Sequence, residues 1–163
     1  MMQYTEMSYE QNAKDIIASN NYFVLSTCNK NNTPWAAAIL FVNDKSYNFY
    51  FMSAVDSRHA KNIIENPNIA CVIFYSKQPV GSSLSVQFEG TAKIIDTKEE
   101  IVDTIKLYSK KAFPGSKFSR DPQFDPGNYS DAAEFKFFKI EPKKIYITVE
   151  GGTVEVNLKA IND

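Results

Sequence analysis

The chain is poor in the residues that most often announce chemistry. It holds one histidine, His59, and two cysteines, Cys28 and Cys71, in 163 residues. One imidazole and two distant thiols do not make the clustered ligand set of a zinc site. Both cysteines sit inside apolar, strand-like runs and read as buried free thiols. No serine stands in a Gly-x-Ser-x-Gly elbow, and no glycine-rich phosphate loop is present. That argues against the usual hydrolase and nucleoside-triphosphate sites. Hydrolysis through a histidine base would rest on His59 alone, with no carboxylate placed by sequence to orient it. No apolar run reaches membrane-spanning length, and Met1 to Met7 lacks the basic-then-apolar pattern of a signal peptide. A reduced, cytoplasmic setting is the expectation. The net charge is -1 with no long basic run, so no nucleic-acid footprint is expected.

What is present favours a sheet. Hydrophobic residues make up 44% and aromatics 13%, with 12 Phe and 9 Tyr. Such a composition excludes a disordered chain and suits pleated, half-buried surfaces. The length suggests one domain over 1–163, which buries roughly 70% of its unfolded surface and needs no disulfide.

Ser8 and Gln11 form a capping-box pattern, and Ala13, Ile16 and Ile17 follow at helical spacing, which predicts a helix over 8–19. Tyr22 to Cys28 and Thr33 to Val42 read as a hairpin around the Asn29–Asn32 turn cluster. The run Ala36-Ala37-Ala38 leaves one sheet face flat. It suits close packing against a helix and a flat ligand equally well. After a turn at 43–46, Tyr47 to Ser53 is a strand and Ser57 to Glu65 a short helix stopped by Pro67. Ile69 to Tyr75 is so apolar that burial on both faces is expected. Leu84 to Ile95 is a long strand with Gly90 at a bulge or bend. Thr97 and Glu100 cap a helix over 98–111, followed by a long loop from 112 to 131. Its carboxylates Asp121, Asp125 and Asp131 lack calcium-ligand spacing. Strands Phe135–Ile140 and Lys144–Val149 flank Pro142, and Gly151-Gly152 turns into a last strand over 153–158. The hairpin-like succession predicts a mainly antiparallel barrel of seven or eight strands with peripheral helices.

Phe49 to Asn68 carries the chemistry. A strand ends at Ser53, and a helix begins at Ser57 with Arg58, His59 and Lys61 in its first turn. A helix start presents free N–H groups and partial positive charge. Hydroxyls and cations added there make a plausible phosphate seat. A solvated, capped helix start is the plainer alternative.

The order of these residues resembles the pyridoxamine 5′-phosphate oxidase-like, FMN-binding split-barrel proteins. The match runs Phe51-Met52-Ser53, then Ser57-Arg58-His59-Ala60 with Ile63, then Asn66-Pro67. The Pro34-Trp35 hairpin precedes it and Phe88-Glu89-Gly90 follows. The resemblance implies a six-to-eight-stranded antiparallel split β-barrel. It also implies a homodimer with FMN in clefts between subunits, and oxidase or reductase chemistry on a small substrate. Ser53, Ser57, Arg58 and His59 would hold the phosphate, with Met52 and Lys61 beside them. Ala36, Ala37, Ala38 and Ile39 would line the flavin ring, and Ser85 and Tyr146 would face the cofactor. His59 stands where the family often has Lys, so one cationic contact becomes pH-dependent. Oxidases of pyridoxine phosphates carry Arg and Lys where this chain has Ala36 and Phe41, and a late Arg with no counterpart near Thr153-Val154-Glu155. A non-catalytic flavin or haem binder, or a true pyridoxamine phosphate oxidase, are the alternatives the resemblance leaves.

Overall fold

The computed structural model describes residues 8–82, 84–111, 125–129 and 132–158. The elements in order are α1 (Tyr9–Ser19), β1 (Tyr22–Cys28), β2 (Pro34–Leu40), β3 (Val42–Asn43), β4 (Phe49–Ala54) and α2 (Arg58–Glu65). Then follow β5 (Asn68–Phe74), β6 (Ser85–Ile94), α3 (Lys98–Lys111), a 3-10 turn at Pro126–Tyr129, β7 (Phe135–Val149) and β8 (Gly152–Val156). The eight strands form one antiparallel sheet in the order β2-β1-β5-β6-β7-β4-β3, with β8 added to β7. The sheet curls around one core but does not close, since β2 and β4 are not paired. It is a split barrel.

Phenylalanine fills the concave face. Phe23 stacks on Phe41 at 5.1 Å, Phe49 on Phe88 at 4.5 Å, and Phe51 on Phe138 at 4.8 Å. Each side chain buried this way contributes about 1.5–3 kcal/mol. α1 caps one end of this core with Ala13, Ile16 and Ile17, and Ser8 Oγ accepts the Gln11 N–H as the capping pattern predicts. α3 covers the opposite sheet face, where Ile101, Ile105 and Tyr108 pack on Val42, Tyr50 and Phe137. Its Thr97 hydroxyl accepts the Glu100 N–H.

Four expectations need correction. β5 alternates strictly: Ile69, Cys71 and Ile73 enter the core, while Ala70 and Phe74 face out. In the single chain its outer face stays partly open, with Ala70 and Phe74 exposed and Val72 half-buried. The strand expected over 33–42 breaks at Phe41, and Tyr47 is a turn residue with φ of 56° rather than the first residue of β4. The segments around Pro142 are one strand, β7. Pro142 has no N–H to give, and the ladder absorbs it by shifting register between Glu89 and Gly90. Glycine is required there, since a Cβ on Gly90 would collide with the Glu141 carbonyl oxygen. Of the 112–131 loop, Asp125 is described and its carboxylate accepts the Gly127 N–H at 2.7 Å. Asp121 and Asp131 lie outside the described residues.

Candidate functional site

β4 alternates, sending Phe49 and Phe51 into the core and leaving Ser53 on the same side where the strand runs out of the barrel. Two residues of turn then lead to Ser57, the N-cap of α2, whose Oγ accepts the Ala60 N–H at 3.3 Å. His59 Nε2 lies 2.6 Å from Ser53 Oγ and 3.1 Å from Ser57 Oγ, and the two hydroxyls are 3.1 Å apart. The imidazole edge rests on Phe51. Burial pushes the His59 pKa below its usual value, since the apolar wall disfavours the imidazolium. A carboxylate is not among the triangle's partners. The donor set is therefore two hydroxyls and an imidazole at a helix start, which suits an anion able to supply the missing negative charge.

The helix is pinned from below. Asn62 is buried, and its Nδ2 donates to Thr27 Oγ1 on β1 at 3.0 Å. Arg58 is exposed and swings the other way, its guanidinium 4.4 Å from the centre of the Trp35 ring on β2. Lys61 is exposed on α2.

Beside this cluster the barrel is open. Phe41 N–H bonds to Asn21 O at 3.0 Å, and β1 pairs with β2 in the register Phe23↔Ile39 and Val24↔Ala38. Antiparallel pairs alternate between bonded and non-bonded. Odd-numbered residues of β2 thus bond to β1, while Ala36, Ala38 and Leu40 turn their backbone N–H and C=O groups toward the seam facing β4. Ala36 and Ala38 have exposed side chains, whereas Ala37 and Ile39 are half-buried. On the other shore Met52 is exposed. The structure thus brings Ala36–Ile39, Met52, Ser53, Ser57, Arg58 and His59 to one seam. It does not bring Ser85 and Tyr146 there. Ser85 Oγ lies 2.7 Å from Thr148 Oγ1, and Gln87 Nε2 donates to both hydroxyls. Tyr146 pairs with Gln87, and from Ala38 the register runs through Val24, Val72 and Gln87 to Tyr146. That is four strand spacings, roughly 19 Å along the sheet.

A family model described as pyridoxamine 5′-phosphate oxidase matches residues 9–148. The chain belongs to the pyridoxamine 5′-phosphate oxidase family. It is 33% identical to a UPF0306 protein of Pasteurella multocida over 53% of this chain and 58% of that one. It is 25% identical to a pyridoxine/pyridoxamine 5′-phosphate oxidase of Ehrlichia chaffeensis over 51% of this chain and 54% of that one. The chain thus spans about half the length of the curated relatives it matches. Among solved structures, HutZ, the haem storage protein of Vibrio cholerae, superposes with a TM-score of 0.67 over 86% of this chain and 95% of its own, at 16% identity. That likeness shows the fold.

Within the family frame, the departures take on positions. Ala36 is at the seam, and Phe41 is fully buried in the core rather than facing it. Glu155 sits opposite Tyr146 in the β7–β8 ladder. One residue that sequence reasoning missed lies near by. Lys111, the last residue of α3, places Nζ 3.7 Å from the centre of the Phe41 ring. That nitrogen is buried with no hydrogen-bond partner among the described residues, and burial brings its pKa down to about 8. Only the helical spacing from Tyr108 would have placed Lys111 on an inward face. Among the described residues no cluster of three metal-ligating groups forms, and no helix is long and apolar enough to cross a membrane.

Proposed function

We propose that this chain is an FMN-dependent oxidoreductase that holds its cofactor along the β2–β4 seam. The observation that carries the reading is the Ser53–Ser57–His59 triangle at the start of α2, set beside the unpaired backbone of Ala36 and Ala38. Hydroxyls, imidazole, helix N–H groups and Arg58 suit a phosphate ester. Small side chains and seam-facing amides suit a flat, hydrogen-bonding ring. Bound there, FMN would supply the electron chemistry, and the protein would bind and orient it. Ser53 and Ser57 would donate to phosphate oxygens in place of their present bonds to His59. His59 would then gain an anionic neighbour that favours its protonated form.

The partner this reading calls for is a second copy. The outer face of β1, β2 and β5 carries Tyr22, Ala36, Ala38, Ala70 and Phe74 in the open. Ser85 and Tyr146 are too far from Ala38 to meet the same ring, so in this reading they reach a cofactor held by the other subunit. Ala36 and Phe41, in place of the basic pair of pyridoxine phosphate oxidases, argue for another small substrate.

The test is the absorbance of the purified protein. Yellow protein with flavin bands, bleached by NADH or NADPH, supports the oxidoreductase. A colourless protein that takes up no added FMN sinks it. Flavin that no nicotinamide reduces, or a haem Soret band, would turn the reading to a storage protein, the role named for HutZ, whose fold this chain shares.

A further inference from the structure

We propose that Tyr108 is the wedge that keeps the barrel split, and so a positioning residue for the seam in which the cofactor lies. The second half of that statement rests on the function proposed above; the first does not. The β3–β4 hairpin sets the register. Asp44 N–H bonds to Asn48 O at 3.1 Å, and the register runs Asn43↔Phe49 and Val42↔Tyr50. Two places further on, the same register sets Leu40 opposite Met52. Alternation makes 44↔48 and 42↔50 bonded pairs, so 40↔52 is due to be one as well. The β1–β2 ladder gives the same parity independently, since it turns the backbone of Leu40 away from β1.

Leu40 C=O and Met52 N–H are thus aimed at each other, yet the β3–β4 ladder ends at Val42↔Tyr50. The Tyr108 hydroxyl takes the place of the direct bond. It donates to Leu40 O at 3.3 Å; burial raises the phenol's pKa, and the neighbouring Met52 backbone opposes that rise. Tyr108 is buried, so its phenol satisfies the Leu40 carbonyl that the register would otherwise pair with Met52. A phenol standing at the Leu40 carbonyl takes the position the Met52 N–H would need for a direct bond. The phenol is not free to leave. Its ring packs 5.4 Å from Phe137, and the α3 stripe of Ile101 and Ile105 fixes the helix that carries it. Beyond the wedge, Ala38 and Ala36 on one shore lose their partners on the other, and the seam opens toward Ser53. α3 packs on the face opposite the core and still sets the width of the cleft.

The experiment compares the wild type with Tyr108→Phe by NMR and by FMN titration. In the wild type we expect a slowly exchanging Tyr108 hydroxyl proton with a nuclear Overhauser contact to the Met52 amide. We also expect no scalar coupling between the Met52 nitrogen and the Leu40 carbonyl carbon. In Tyr108→Phe that coupling should appear as the ladder closes by one pair, and FMN affinity should fall at least tenfold. The affinity for inorganic phosphate, read from the Ser57 and His59 amide shifts, should stay within twofold. A direct Met52–Leu40 coupling in the wild type overturns the wedge, as does a hydroxyl with no contact to Met52. A folded Tyr108→Phe with no coupling, or with unchanged FMN affinity, also overturns it. Should the variant fail to fold, the wild-type measurements decide. Should the wild type bind no FMN, the proposed function fails while the coupling measurements still judge the wedge.

Discussion

The two ends of the β2–β4 seam are built from different material. At the α2 end, Ser53, Ser57 and His59 bond to one another, Asn62 locks the helix to Thr27, and Arg58 reaches across to Trp35. Every one of those groups except Arg58 and Trp35 is half-buried or buried and hydrogen-bonded. At the α3 end, the Tyr108 hydroxyl donates to Leu40 O, but Lys111 beside it has a buried nitrogen with no hydrogen-bond partner among the described residues. The contrast teaches where the site is prearranged. The α2 end holds a set of donors whose mutual bonds an anion can replace one for one. The α3 end holds its shape by packing and carries a charge that no described residue hydrogen-bonds.

The largest effect should come from breaking the α2 end. Arg58→Ala should weaken FMN binding by about 1.5–3 kcal/mol, the scale of a charge-assisted bond, read by fluorescence titration. Unchanged affinity in a folded variant would remove this end from the phosphate reading. Asn62→Leu should lower stability in urea by about 1–3 kcal/mol, because it strands the buried Thr27 hydroxyl. It should also loosen the helix start, so FMN affinity should fall with it. If stability drops while FMN affinity holds, the anchoring of α2 does not matter to the seat.

His59 gives a smaller and pH-dependent effect. In the free protein burial holds its pKa below the ordinary value near 6.5. In the window between the two, the unfolded state binds more protons, so stability falls as pH drops through it. A bound phosphate raises the folded pKa instead, so binding takes up a proton. FMN affinity should therefore strengthen up to about tenfold as pH falls from about 8 to 6.5, one pK unit being about 1.4 kcal/mol. His59→Lys should flatten that dependence, because its charge is fixed. Equal slopes in titrations of the two proteins would place the proton elsewhere.

The same contrast explains what the sequence could disclose. The α2 end is local: Ser53 to Lys61 span one strand end, one turn and one helix start, so spacing and capping chemistry find it. The hairpin at 22–42, the α3 boundaries and the Gly90 bulge are local in the same sense. The α3 end depends on Leu40, Met52 and Tyr108 meeting, and on Lys111 folding back over Phe41, across 68 residues in the first case. No spacing rule connects those positions before the sheet order is known. β5 misled for a related reason. Its apolar residues on both faces are legible, but which face meets the core is decided by curl and partner, not by composition. Pro142 misled because a proline usually ends a strand, and the compensating shift sits on another strand, at Gly90.

Lys111 provides the smallest effect and the sharpest choice between two forces. Burial disfavours its ammonium and lowers its pKa to about 8, whereas the Phe41 ring at 3.7 Å favours the cation. The unfolded value is near 10.5. Between 8 and 10.5 the unfolded chain binds the extra proton, so stability should rise with pH across that window, and below it the full penalty remains. Methionine keeps the unbranched stem and removes the charge. Lys111→Met should therefore stabilise the protein at pH 7 by about 1 kcal/mol, part of the nominal penalty being screened because the residue as a whole is only half-buried. That corresponds to a rise in Tm of about 2–4 °C. The gain should shrink toward pH 10, where the wild-type amine is neutral when folded. A variant less stable than the wild type at pH 7 would mean that the ring contact outweighs desolvation, and the α3 end would then be as well satisfied as the α2 end.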